Sequence, residues 1–496
     1  MAHHLAPEIP SRLLMWQRVR EYAVPPSMIE IATARRAVGD WAGACAAARI
    51  DVDLDLRAVR DRHGTDLLHR LRADLRRLAP DLLRWHMPRI APDGRLRPGL
   101  TLCLARYPQP GSAPLQLVVR TPPAWADAGQ RMSLALWEET AHGSPGRRPP
   151  SHPHPHPHPH PHPDRRFRLD LHRHLWDSAR CAELARRCGA HGETCAPPGP
   201  SAPSGPPPGH DSWAVQRWSA EAELLLRAEG RTRGAFTVRL GARSRAVLEL
   251  VAPDDSHVPT FRPLRETLPP QEIAALPVLP EAAARVLPDL ELLRAGLIAP
   301  GRLHPLVAPA LAAYGREPVA ATASEPGDPH RVECRGEVHR IALRDGVLTA
   351  VDHDPAQLRR EELLVAFGGP PLPCLRAIDA VHRSPEALPA VRERLGHGDV
   401  AGALAVVEGL LGPGAVLRDG PLRTELEAAA ARRIDHGLFR SGLIAEHPAA
   451  GTAGGGNGPG GKRGEPDRRP RIDRHTPGVI RFRHGRRNRP RICLIG

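Results

Sequence analysis

Gly39-Asp40-Trp41-Ala42-Gly43-Ala44 near the start of the chain and Gly398-Asp399-Val400-Ala401-Gly402-Ala403 near its end repeat one pattern. Each stands between two helical periodicities, so each predicts a helix, a tight Gly-Asp turn and a second helix. After Asp399 the apolar residues Val400, Ala403, Leu404, Val407, Leu410 and Leu411 keep the i, i+3, i+4, i+7 spacing of one buried helical face. After Asp40, the residues Trp41, Ala44, Cys45 and Ala48 hold the same register. Glycine takes the left-handed backbone that ends the first helix, and aspartate caps the free amides of the second. These hairpins are scaffold and carry no chemistry.

Between them the period changes to two. Residues 100–107, 115–121 and 132–137 predict strands separated by Pro/Gly turns, and residues 235–240 and 246–251 predict a hairpin through Gly241. Residues 339–343 and 347–351 flank Asp345-Gly346, the strongest short hairpin signal in the chain. Helices are expected over 66–83, 176–188, 211–228 and from 352 to about 438, with a strand at 166–171 and short proline-cut helices over 262–315. The expected fold class is α+β, with helical-hairpin modules at both ends around central antiparallel β-hairpins. Its expected parts are a flexible extension (1–27), a helical module (28–95) and a β-rich module (96–260) with disordered inserts at 141–165 and 196–210. Short helices (261–325), a hairpin-plus-helix module (326–445) and a disordered Gly/Arg-rich tail (446–496) follow.

Composition narrows the function classes. Of 496 residues, 41% are hydrophobic but only 3% aromatic, so the cores must be built from Leu, Val and Ala. The net charge of +14 ordinarily points to nucleic acid or acidic surfaces. Yet the 69 basic residues include one lysine, Lys462, and the only asparagines are Asn457 and Asn488, a skew that matches GC-rich coding. Residues 451–496 alone hold twelve Lys/Arg against three acids, which leaves the rest of the chain only modestly basic. Without lysine before 462, that part of the chain cannot form a lysine Schiff base. Nor can it supply the phosphate-binding lysine of a P-loop or a kinase.

Eight dispersed cysteines do not make a disulfide framework. Pro and Arg interrupt every hydrophobic run before it reaches membrane-spanning length. A soluble, reduced, cytoplasmic protein that does not enter a membrane is the expectation. The run Asp74-Leu75-Arg76-Arg77-Leu78-Ala79-Pro80-Asp81-Leu82-Leu83-Arg84-Trp85-His86 resembles a segment common to proteins of streptomycete-type actinobacteria. The resemblance covers the N-terminal module; it implies no activity and transfers no site.

Several stretches hold candidate ligands. Six His-Pro pairs place His152, His154, His156, His158, His160 and His162 on an extended chain, where alternate imidazoles take up divalent metal adventitiously. Cys181, Cys188 and Cys195 recur every seven residues; a helix break at Gly189 would gather Cys188, His191 and Cys195 around zinc, although C-x₂₋₄-C is the usual spacing. Asp51, Asp53 and Asp55 alternate with Val52, Leu54 and Leu56, which reads as the solvated face of a strand. In Asp352-His353-Asp354, the third residue reads as a helix cap ahead of Pro355. Gly456 to Lys462 mimics a P-loop but lacks the hydroxyl residue and the strand-to-helix frame. In the tail, Arg481, Arg483, Arg486, Arg487 and Arg489 surround Phe482 and His484, a set able to contact phosphates and stack a base.

No H-E-x-x-H, G-x-S-x-G or C-x-x-C occurs. No catalytic residue and no cofactor is assigned. The expectation is a non-catalytic interaction or accessory protein with a protein partner, its hairpins resembling single tetratricopeptide-like units. The alternatives are a nucleic-acid-associated protein acting through residues 451–496 and an enzyme of unidentified type.

Overall fold

The structure is a computed structural model that describes residues 9–109, 111–138, 162–188, 212–241, 244–251, 258–314, 331–344, 347–383, 387–412, 414 and 416–441. It is α+β. After α1 (Ser11–Arg18) and a π-helical turn, α2 (Pro26–Ala37) and α3 (Trp41–Ala47) form the first hairpin. Gly39 has φ +77°, the Asp40 carboxylate accepts from the Gly43 amide at 2.8 Å, and the Asp40 amide donates to the Arg35 carbonyl at 2.9 Å. A Cβ on Gly43 would fall 2.1 Å from Asp40 Oδ2, so the cap itself requires glycine there.

The chain then enters β1 (Ile50–Asp53), α4 (Leu56–Arg77) and α5 (Pro80–His86). The helix expected over 66–83 is two helices, because Pro80 opens α5 and cannot continue the helix before it. Asp51, Asp53 and Asp55 do not form a solvated face. Asp51 pairs with Arg131, Asp53 with Arg440 at 2.6 Å, and Asp55 caps α4 by accepting from the Arg57 and Ala58 amides.

A two-stranded ribbon, β2 (Arg89–Ile90) and β3 (Arg95–Leu96), leads to β4 (Thr101–Gln109), β5 (Ser112–Arg120) and β6 (Met132–Trp137). These three are the expected antiparallel meander, but β1 joins β6 in parallel, Ile50 opposite Met132, so the sheet order is β1-β6-β5-β4. A parallel neighbour needs a long crossover, which α4 and α5 help to provide. Leu67, Leu71, Leu75, Leu82, Leu83 and Trp85 from these helices pack with Leu102, Leu117 and Leu134 of the sheet in one core.

The strand expected at 166–171 is reduced to an isolated bridge between Arg168 and Cys103. The helix expected at 176–188 is a 3₁₀ turn and the single-turn α6 (Leu184–Arg187). Tertiary demand explains both: Trp176 is fully buried with its Nε1 donating to the Leu169 carbonyl, and Asp177 bridges to Leu78. Beyond α7 (Trp218–Ala228), the strands β7 (Gly234–Arg239), β8 (Arg245–Val251) and β9 (Thr260–Pro263) form an antiparallel sheet around Trp218, Phe236, Leu248 and Leu279. Prolines then cut the chain into α8 (Pro270–Ala275), α9 (Glu281–Ala284), α10 (Pro288–Arg294) and α11 (Ala308–Leu311).

The last part holds β10 (Arg331–Cys334), β11 (Glu337–Arg344) and β12 (Val347–Ala350), an antiparallel sheet whose first strand was not predicted. α12 (Pro355–Ala366), α13 (Pro373–Arg383), α14 (Leu388–Gly396), α15 (Val400–Leu411) and α16 (Pro421–Arg440) follow. The α14–α15 turn copies the first hairpin: Asp399 shares the φ −81°, ψ 72° of Asp40, accepts from the Gly402 amide at 3.2 Å and donates its own amide to Arg394 at 2.7 Å. The arginine five residues upstream pairs with the aspartate in both copies, at 3.1 Å for Arg35 and 3.0 Å for Arg394. Ala44 and Cys45 are buried in one hairpin, and Ala403, Val407 and Leu411 in the other, but Leu404, expected on the same buried face, is 43% exposed. Among the described residues no helix is long and apolar enough to cross a membrane.

Candidate functional site

A cleft with about 260 Å³ of open space is lined by Arg97, Arg166, Arg239 and Arg285, together with Trp213 and Glu281. Four separate pieces of chain bring the guanidinium groups together. Arg97 follows β3, Arg166 lies in the loop beside β4, Arg239 ends β7, and Arg285 follows α9. Backbone bonds fix the assembly: the Glu281 amide donates to the Arg166 carbonyl at 2.8 Å, and Val286 donates to Ser212 at 3.0 Å.

The wall is preorganised. Arg285 stacks over the Trp213 ring at 4.0 Å, an attraction between the cation and the negative face of the indole. Arg166 chelates Asp164, and Arg239 Nε donates to the Gly241 carbonyl at 3.1 Å. Arg97 Nε is buried without a hydrogen-bond partner. Among the described residues, Asp164 and Glu281 act on Arg166, Asp164 on Arg239, and Glu281 with Glu291 on Arg285. Burial, then repulsion from Arg166 and Arg245, lowers the pKa of Arg239, and Asp164 only partly offsets this. Burial likewise lowers the pKa of Arg285 despite Glu281. Guanidinium forks match the paired oxygens of phosphate and carboxylate, so the cleft is suited to hold an anion. Among the described residues, the lining has no hydroxyl, thiol or imidazole, and the Ser212 hydroxyl lies beside it, with Oγ 3.4 Å from Arg285 Nη1.

Other buried charges belong to the frame. Arg20 chelates Asp289 (2.8 and 2.7 Å), which also accepts from Trp85 Nε1. His304 and Asp81 pair at 3.1 Å with neither side chain reaching solvent, and the Leu306 amide donates to the other ring nitrogen of His304. Burial raises the thiol pKa of Cys45 to about 12 and of Cys181 to about 11, so neither is a ready thiolate.

Of the predicted ligands, His162 packs edge-on against Trp137 at 4.7 Å, and Cys188 is buried with Sγ against the Ala185 carbonyl. His152, His154, His156, His158, His160, His191, Cys195 and Arg481, Arg483, Arg486, Arg487 and Arg489 lie outside the described residues. Asp354 caps α12 as expected, accepting from the Ala356 amide at 3.3 Å. Sequence reasoning missed the cleft because its arginines are scattered from 97 to 285 in a chain rich in arginine throughout; no spacing marks them. No protein-family model matches the chain, and neither does any curated protein or solved structure.

Proposed function

We propose that this chain is a non-catalytic interaction protein that recognises an anionic group, a phosphate ester or a carboxylate, on its partner through the arginine-lined cleft. The observation that carries the reading is the convergence of Arg97, Arg166, Arg239 and Arg285 on one concave site. An anion entering there relieves the mutual repulsion of the guanidinium groups and meets donors already oriented. The two hairpins do not form this surface, since none of its lining residues belongs to α2, α3, α14 or α15.

Titration calorimetry of the full chain with inorganic phosphate, pyrophosphate and citrate tests the reading. Saturable binding that Arg239→Ala and Arg285→Ala weaken at least about tenfold supports it, each lost charge-assisted contact being worth about 1.5–3 kcal/mol. Absence of binding to all three anions, or binding unaffected by both substitutions, refutes it. The nucleic-acid alternative predicts a different pattern: steeply salt-dependent binding lost on deletion of 451–496 and indifferent to the cleft.

A further inference from the structure

We propose that Cys334, His353 and Cys374 form a zinc site that clamps the C-terminal sheet to its helices. The inference is independent of the anion-binding reading. The three donors come from three elements. Cys334 ends β10, where the register places it opposite Glu337 across a two-residue turn of Arg335 (φ 58°) and Gly336 (φ 85°). His353 sits at the corner between β12 and α12, its amide donating to the Ala350 carbonyl, one residue before the cap Asp354. Cys374 is the second residue of α13, the helix that packs on β10.

All three side chains are buried, and their donor atoms lie within 4.8 Å of one another. Tetrahedral zinc, with Zn–S of about 2.3 Å and Zn–N of about 2.0–2.1 Å, spaces its ligand atoms roughly 3.3–3.8 Å apart. Small side-chain rotations therefore close the three onto one ion. Two thiolates and an imidazole select a borderline-soft cation over magnesium or calcium. His353 Nε2 is buried without a hydrogen-bond partner, a condition that a metal bond relieves. The ring of His339 stacks on that of His353 at 4.1 Å and holds it in place, outside the group of three donors. Both cysteines are free thiols. Zinc binding displaces their protons and ties hairpin, corner and helix to a single point. Eighteen residues separate Cys334 from His353 and twenty separate His353 from Cys374, so no short-spacing motif reveals the site.

The test uses the full chain with His152, His154, His156, His158, His160 and His162 replaced by serine, so that the His-Pro tract contributes no metal. Cobalt(II) serves as the spectroscopic stand-in for zinc. One cobalt per chain with thiolate-to-cobalt charge-transfer absorption, displaced by zinc, is the expected result, and Cys334→Ser and Cys374→Ser should each abolish that absorption. Since either variant can lose its fold, alkylation of the same chain with all its cysteines is followed by mass spectrometry. Zinc should slow modification of Cys334 and Cys374 about tenfold or more, reversibly with chelator, and leave Cys45 and Cys103 unchanged. A cobalt spectrum without thiolate character, thiols unprotected by zinc, or a Cys334–Cys374 disulfide in the natively purified chain overturns the proposal.

Discussion

Arg49 Nη1 donates to the carbonyl oxygen of His397 at 2.8 Å, across a separation of 348 residues. Arg49 is the residue by which the first hairpin enters β1, and His397 ends the first helix of the second hairpin. The same guanidinium lies 3.6 Å from the Asp399 carboxylate. Beside it, Gly398 presses on the β5–β6 loop so closely that a Cβ would fall 2.3 Å from the Gly129 carbonyl oxygen. The two Gly-Asp turns, alike in geometry, therefore do different jobs: one faces solvent and the other is a contact between the first and last parts of the fold.

That difference predicts unequal costs for one substitution. Gly39→Ala meets open space and carries only the left-handed backbone penalty, about 1 kcal/mol. Gly398→Ala carries the same penalty and must also displace the Gly129 backbone, adding about 1–3 kcal/mol. Urea denaturation of the two variants should give clearly separated midpoints. Coincident midpoints would show that the junction gives way without cost.

The capping aspartates should separate in the same order. Asp40→Ala removes a half-exposed cap, at about 1 kcal/mol. Asp399→Ala removes the cap and also the carboxylate that Arg394 and Arg49 share, for roughly 2–3 kcal/mol. Asp399→Asn keeps an accepting oxygen and should recover the capping share alone. A variant as stable as Asp40→Ala would mean that the two arginines find other partners.

Acid should act on the junction through His397. Burial first, then Arg89, Arg95, Arg84 and Arg49, push its pKa down to about 3, while Glu393 lies 3.7 Å away and Tyr22 stacks on the ring. The folded chain keeps this imidazole neutral, and the unfolded chain protonates it near pH 6.5. The folded pKa is the lower one, so the stability linked to His397 is whole above about pH 6.5 and is lost as pH falls toward about 3. The limiting slope is about 1.4 kcal/mol per pH unit. Burial also lowers the pKa of His86, His172 and His174, which steepens the fall. Asp51 acts in a lower window: burial opposes its ionisation, but His436, Arg131 and Arg440 outweigh that and hold its pKa below 3.8. Its contribution is present above that value and disappears only in stronger acid. Denaturation midpoints should therefore begin to fall near pH 6.5, and His397→Gln should flatten that limb. A plateau extending down to about pH 4.5 would contradict the assignment.

What the sequence reveals follows how local each signal is. The turn at Gly39-Asp40, the cap at Asp354 and the alternation in β4, β5 and β6 depend on neighbours a few residues away, and each could be read. Pairing of Ile50 with Met132 depends on a partner far along the chain, so β1 read as a strand with no destination and Asp51 and Asp53 read as solvated. Cys181 and Cys188 carry helical spacing, yet burial of the Trp176 indole against Leu169 holds that stretch in turns. Arg97, Arg166, Arg239 and Arg285 meet only in three dimensions, as do Cys334, His353 and Cys374. Composition hid the first set and long spacing the second.

Arg440 supplies the last prediction. At the end of α16 it grips Asp53 through two bonds of 2.9 and 2.6 Å and lies 3.5 Å from Asp51, so the C-terminal helix is tied to the edge strand of the main sheet. Two further contacts lie beside it: Phe439 stands edge-on to Trp125 at 5.7 Å, and His436 meets the Ala126 carbonyl at 2.8 Å. The ion pair is partly buried and bidentate, so it is worth about 1–2 kcal/mol, more than an exposed pair. Arg440→Ala should speed amide exchange in α16 while leaving exchange in α4 unchanged, because the lost contact is local. Arg440→Lys should recover only part of the effect, since an ammonium cannot span both oxygens of Asp53. Full recovery by lysine would show that charge alone holds the helix, and unchanged exchange in the alanine variant would show that Trp125 and His436 suffice without it.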